Sequence, residues 1–160
     1  MAYLFDTDAI SEVLRSRPAP AYLRWLSQVP RAEQFTSAVV IGELYKGAFR
    51  SPNHERHLKN IEKLVLPAVT VLSYDVAAAR VFGDIQARLS VRGRRPRVRP
   101  SNLSGGPCGP PSPLADADLQ IAATAILHGL EVVTGNLRHF ARIPGIQVHR
   151  ALADARGRPG

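Results

Sequence analysis

Three of the thirteen acidic side chains stand in apolar surroundings. Asp6 ends the apolar run Tyr3-Leu4-Phe5, Glu43 is flanked by Val39, Val40, Ile41 and Leu44, and Asp118 by Leu119, Ile121, Ala122 and Ala123. A carboxylate in such a setting is costly to bury unless something pairs with it. Three or four carboxylates brought to one point from distant segments would repel one another unless a divalent cation joined them. All-oxygen ligation favours magnesium or manganese over zinc. Each residue also has a simpler reading. Asp6 could be a loop residue at a strand end, Asp8 a helix cap, and Glu43 an exposed helix residue. Asp116 and Asp118 could be first-turn acids that suit the helix dipole. Only the joint pattern points to a site.

The remaining reactive side chains give weaker signals. His54 and His57 are three apart on an expected helix, but Asn53, Glu55, Arg56 and Lys59 around them make a solvated face. His128 suits a helix C-terminus, and no partner for His139 or His149 is evident from the sequence. Tyr22 and Trp25 read as core or subunit-interface residues, with base stacking the lesser alternative. Arg138 and Arg142 could contact RNA phosphates or simply be solvated.

Periodicity supplies the elements that would position the acids. Short apolar runs predict strands at 3–5, 35–37, 69–72, 130–134 and 146–148, the third of them bounded by Pro67 and Ser73 and expected to be buried. Apolar residues at helical spacing predict helices over 8–15, 21–29, 39–50, 53–66, 75–91 and 114–128, with a short one at 136–141. Gly129 stands where a helix C-cap belongs. Strands alternating with helices imply an α/β domain with a central parallel sheet flanked by helices on both faces. Sites in such folds form outside the carboxyl ends of the strands, near the point where strand order reverses. Asp6 lies at one such end.

At 160 residues the chain is expected to be one domain. Between residues 93 and 113, ten of 21 positions are Gly or Pro, so neither helix nor strand is expected there. The net charge of +8 suggests an anionic partner, but its placement weakens that inference. Residues 92–100 carry five arginines and no acid, residues 150–160 form a second basic stretch expected to be a disordered tail, and the body is near neutral. A single cysteine, Cys108, excludes an internal disulfide framework and a multi-cysteine metal site. No secretory signal or membrane-spanning run is evident, so a soluble cytoplasmic protein is expected.

Four segments in order carry a family resemblance. They are Leu4-Phe5-Asp6-Thr7-Asp8 with Ile10-Ser11-Glu12; Ser37 with Ile41-Gly42-Glu43-Leu44; Asp116-Ala117-Asp118-Leu119-Gln120-Ile121-Ala122-Ala123-Thr124-Ala125; and Val132-Val133-Thr134-Gly135-Asn136. Together they closely resemble the PIN-domain family, and within it the VapC-type toxin ribonucleases, over about residues 2–93 and 114–149. The resemblance implies a PIN domain at 1–149, interrupted by a Gly/Pro/Arg-rich insertion at about 94–113. It also implies an endoribonuclease site using Mg2+ or Mn2+, with products bearing a 5′-phosphate and a 3′-hydroxyl. Asp6, Glu43 and Asp118 fall on the family's acidic positions, and Asp116 on an additional acid. Asn136 occupies a fourth position usually held by an acid, which implies a weaker metal contact. Thr7, Asp8, Ser37 and Thr134 become candidates for orienting carboxylates or water. The implied partners are a structured RNA loop in tRNA, ribosomal RNA or messenger RNA, a cognate antitoxin protein and a second copy in a homodimer, with no membrane.

Other classes fit less well. A phospho-accepting receiver domain needs a lysine late in the chain, whereas Lys46, Lys59 and Lys63 all precede the third expected strand. A nucleotide-hydrolysing domain lacks its glycine-rich Lys-Ser or Lys-Thr loop. A PIN-like RNA-binding module, made catalytically degenerate by the insertion, is the alternative to an active nuclease.

Overall fold

A computed structural model of the chain describes residues 1–93 and 115–157. The insertion expected at 94–113 lies outside the described residues, as does Cys108. The order of elements is β1 (Tyr3–Phe5), α1 (Thr7–Val13), α2 (Pro20–Leu26), β2 (Gln34–Ser37), α3 (Ala38–Arg50), α4 (His54–Asn60), β3 (Thr70–Leu72), α5 (Val76–Gly93), α6 (Asp116–His128), β4 (Glu131–Val133), α7 (Leu137–Phe140), β5 (Gln147–His149) and α8 (Ala151–Ala155). A single 3-10 turn, Arg31–Glu33, precedes β2.

All strand pairs are parallel and run in the order β3-β2-β1-β4-β5. β1 is central, with Leu4 facing Phe35 of β2 and Val132 of β4. Successive strand residues point to opposite faces. Leu4 with Phe5, and Val132 with Val133, are all buried, so both faces of the central strands are covered. That is why these strands read as continuous apolar runs rather than alternating ones. The chain steps outward from β1 to β2 and β3, then crosses back to lay β4 on the other side of β1. The switch in strand order therefore falls between the carboxyl ends of β1 and β4, which are followed by Asp6 and Thr134.

Three expectations need correction. The strand predicted at 69–72 is not buried: β3 is an edge strand paired only with β2, and Thr70 and Val71 are exposed. Its β-branched composition reflects strand propensity rather than burial. The helix predicted over 53–66 stops at Asn60, and the backbone passes into a wide π turn, Ile61–Val65, and a 3-10 turn, Leu66–Ala68. Ile61 and Val65 stay buried through that change, so apolar spacing survives where the regular helix does not. The basic tail expected past Arg150 is ordered through residue 157: α8 buries Leu152 and Ala153 completely and packs on α2. Two buried apolar side chains are enough to dock this last turn.

Among the described residues no helix is long and apolar enough to cross a membrane.

Candidate active site

Asp6 sits where β1 turns into α1, its backbone extended and its amide bonded to the Val133 carbonyl of β4 at 3.1 Å. One carboxylate oxygen caps α1 by accepting from the Thr7 N–H at 2.7 Å, and the other accepts from the Thr134 hydroxyl at 2.9 Å. The Thr134 hydroxyl in turn accepts from the Asn136 N–H at 3.0 Å. The β1 and β4 loops are thus joined across the switch point through one buried carboxylate.

Glu43 comes from the second turn of α3, whose N-terminus is fixed by Ser37: the Ser37 hydroxyl accepts from the Val40 N–H at 3.2 Å. The Thr7 hydroxyl donates to Glu43 at 2.6 Å, tying α3 to the start of α1. Asp118 lies in the first turn of α6 and meets the His139 Nδ1 of α7 at 3.2 Å. Asp116, two residues earlier in the same turn, is exposed and accepts from Gln86 of α5 at 3.3 Å.

Electrostatics joins Asp6, Glu43 and Asp118 into a cluster. Burial pushes the Asp6 carboxyl up from about 3.8 to about 6; the bonds from Thr134 and Thr7 oppose this only in part, and the charges of Asp118 and Glu43 push it further up. Only 6% of Asp6 is exposed, so water screens little of that repulsion. Its hydrogen-bond donors are neutral, and the negative charge is not balanced by them. This donor set suits a hard divalent cation. Among the described residues no three His, Cys, Asp or Glu side chains are gathered tightly enough to enclose a metal as they stand. A groove of about 450 Å3 opens beside Glu43, lined also by Thr7, Ser11, Arg15 and His57 among others.

A model of the PIN domain matches residues 3–146. The chain belongs to the PIN-domain family. It is similar to the tRNA(fMet)-specific endonuclease VapC of Shigella flexneri, 32% identical over 147 residues that span 92% of this chain and 96% of that one. It is also similar to Ribonuclease VapC2 of Haemophilus influenzae, 30% identical over 143 residues, 89% of this chain and 92% of that one. The crystal structure of DNA-bound VapBC from Salmonella typhimurium superposes with a TM-score of 0.71 at 31% identity, covering 93% of this chain and 97% of the other. Within PIN domains the chain stands with the VapC-type toxin ribonucleases of VapBC toxin–antitoxin systems.

The residues nominated by the PIN resemblance do not all meet. Asp6, Glu43 and Asp118 interact, with Thr7 and Thr134 bonded to two of them. Asn136 begins α7 next to Thr134, its side chain half-buried. Asp8 instead turns to Arg156, whose guanidinium donates to it at 2.7 Å. The partner of His139, left unnamed from sequence, is Asp118; the signal available was its spacing of three from Asn136 in the expected 136–141 helix. Sequence reading overlooked Glu12, which is buried among polar partners. Burial pushes the Glu12 carboxyl up, but Arg156, the Ala19 N–H and Arg15 together bring it below its ordinary value. Its place four residues after Asp8 was the available signal. Nothing local marked Arg156, which lies 144 residues away from Glu12.

Proposed function

We propose that this PIN domain is an endoribonuclease dependent on Mg2+ or Mn2+ and acts as the toxin of a toxin–antitoxin pair in the cytoplasm. The observation that carries the reading is the buried Asp6, pushed up to about 6 at the strand-order switch with Glu43 and Asp118 beside it. Asp6, Glu43 and Asp118 would hold the cation, with Asn136 as a weaker neutral ligand and Asp116 an outer acid. Such a cation would polarise a phosphodiester oxygen and would lower the pKa of water, making hydroxide available as the nucleophile near neutral pH. The protein's own groups position the carboxylates: Thr134 holds Asp6, Thr7 holds Glu43 and His139 holds Asp118. No serine or histidine nucleophile is needed. The groove beside Glu43 would give RNA access to that carboxylate.

The similarity to a tRNA(fMet)-specific endonuclease supports tRNA as the first substrate to try, and the VapBC complexes support a cognate antitoxin as the inhibitor. A homodimer is part of the same proposal. The test is to incubate the full chain with total tRNA and ribosomal RNA, in Mn2+ or Mg2+ and in chelator, beside Asp118→Asn. Cuts at a few loop positions, present only with the cation and lost in the variant, are the expected result. Binding without cutting would instead support the degenerate RNA-binding module, and removing residues 95–112 would then show whether the insertion blocks turnover.

A further inference from the structure

We infer that Arg156, at the end of α8, is a positioning residue of the active centre and clamps the two loops that carry Asp6 with Thr7 and Thr134 with Asn136; this rests on the nuclease reading above. The guanidinium is nearly buried, with 10% of the side chain exposed, and engages two carboxylates of α1. One terminal nitrogen donates to Asp8 Oδ2 at 2.7 Å, Nε donates to Glu12 Oε2 at 3.0 Å, and the second terminal nitrogen is also bonded to Glu12. Glu12 carries the linkage onward, because its other oxygen accepts from the Ala19 N–H at the start of α2. The planar fork of arginine suits this arrangement, and a lysine ammonium does not reproduce it.

The second loop enters through Gly135. A Cβ at that position would collide with Asp8 Oδ2 and lie 2.7 Å from the Arg156 guanidinium, so the backbone between Thr134 and Asn136 rests directly on the Asp8–Arg156 pair. Two residues before Asp8, Asp6 accepts from the Thr134 hydroxyl. The β1–α1 and β4–α7 turns are therefore joined twice: directly by Asp6 and Thr134, and from behind by Arg156 against Asp8 and Gly135. The anchor that holds Arg156 there is α8, with Leu152 and Ala153 buried and the neighbouring His149 stacked on Trp25 of α2 at 4.6 Å. A clamp of this kind sets the relative position of Asp6, Thr7 and Asn136 without touching RNA. Arg156 is accordingly expected to govern turnover rather than substrate affinity.

Removing the arginine outright leaves Glu12 buried without its main partner and risks the fold itself. The test therefore uses two charge-preserving changes in the full chain, Arg156→Lys and Gly135→Ala, which disturb the junction from opposite sides. Steady-state cleavage of tRNA and hydrogen exchange by mass spectrometry are measured on both beside the parent. The expected result is a kcat lowered tenfold or more with KM within about twofold, and faster exchange confined to segments 3–14 and 131–140. Parent-like exchange and kcat in both variants would overturn the inference. So would exchange that rises evenly through the core, because Arg156 would then serve stability alone. If the parent cuts no RNA, the nuclease reading fails by itself, and local exchange still decides whether Arg156 clamps the two loops.

Discussion

Asp6 combines burial with like charge, and the consequence is measurable as stability. Its carboxyl titrates near 6 in the folded protein against 3.8 for an unhindered aspartate. Between those values the folded chain binds more protons than the unfolded one, so stability falls as pH rises from about 4 to about 6 and the full penalty applies above that. The penalty is on the order of 3 kcal/mol. Asp6→Asn removes the charge and keeps an oxygen for the Thr7 N–H. The variant is expected to melt several degrees above the parent at pH 7 without metal, at roughly 2–4 °C per kcal/mol for a chain of this size. The two proteins should converge near pH 4. Thermal melts across that range check this, and a variant that melts lower at pH 7 would mean that Asp6 is not destabilised by its neighbours. Saturating Mn2+ should raise the melting point of the parent by more than that of the variant.

Among the elements, α6 was the most legible and shows why. Its apolar periodicity and Gly129 fixed both its existence and its end, and Gly129 does adopt the left-handed conformation, at φ 65°. No atom lies within 4 Å of where a Cβ would stand, so the cost of Gly129→Ala is purely conformational. About 1 kcal/mol is expected, a drop of about 2–4 °C in melting temperature, with Gly129→Asn losing less; an unchanged Tm for the alanine variant would contradict the cap. Elements with weaker local signals departed from expectation in their surroundings, in their helical regularity or, past Arg150, in forming at all. The residues of β3 are β-branched and do form a strand, but whether a strand is central or at an edge depends on which partners remain unpaired, a property of the whole sheet. The region after Asn60 kept its buried pair, Ile61 and Val65, while its backbone left the regular helix. Composition alone suggested that residues past Arg150 were disordered, because Arg150 before it and Asp154, Arg156 and Arg158 after it concealed the buried Leu152-Ala153 pair.

Across the whole molecule, the acids could be nominated from sequence because an α/β sheet places strand ends together, and Asp6, Glu43 and Asp118 each sit in apolar flanks. What could not be read was which neutral and charged partners reach them. His139 and Arg156 meet their carboxylates only through the parallel sheet order, with Arg156 closing a loop of nearly the entire chain. In the proposed function, a divalent cation held by the three carboxylates would supply local positive charge where the substrate phosphate must sit, although the cluster as a whole stays negative. The proposed function requires that Asp6, Glu43 and Asp118 form one cation site. The most direct measurement is calorimetric titration of Mn2+ into metal-stripped full-length protein and into Asp6→Asn, Glu43→Gln and Asp118→Asn. Binding weakened tenfold or more by each single change, with circular dichroism unaltered, is the expected result. Affinity equal to the parent in all three variants would contradict it.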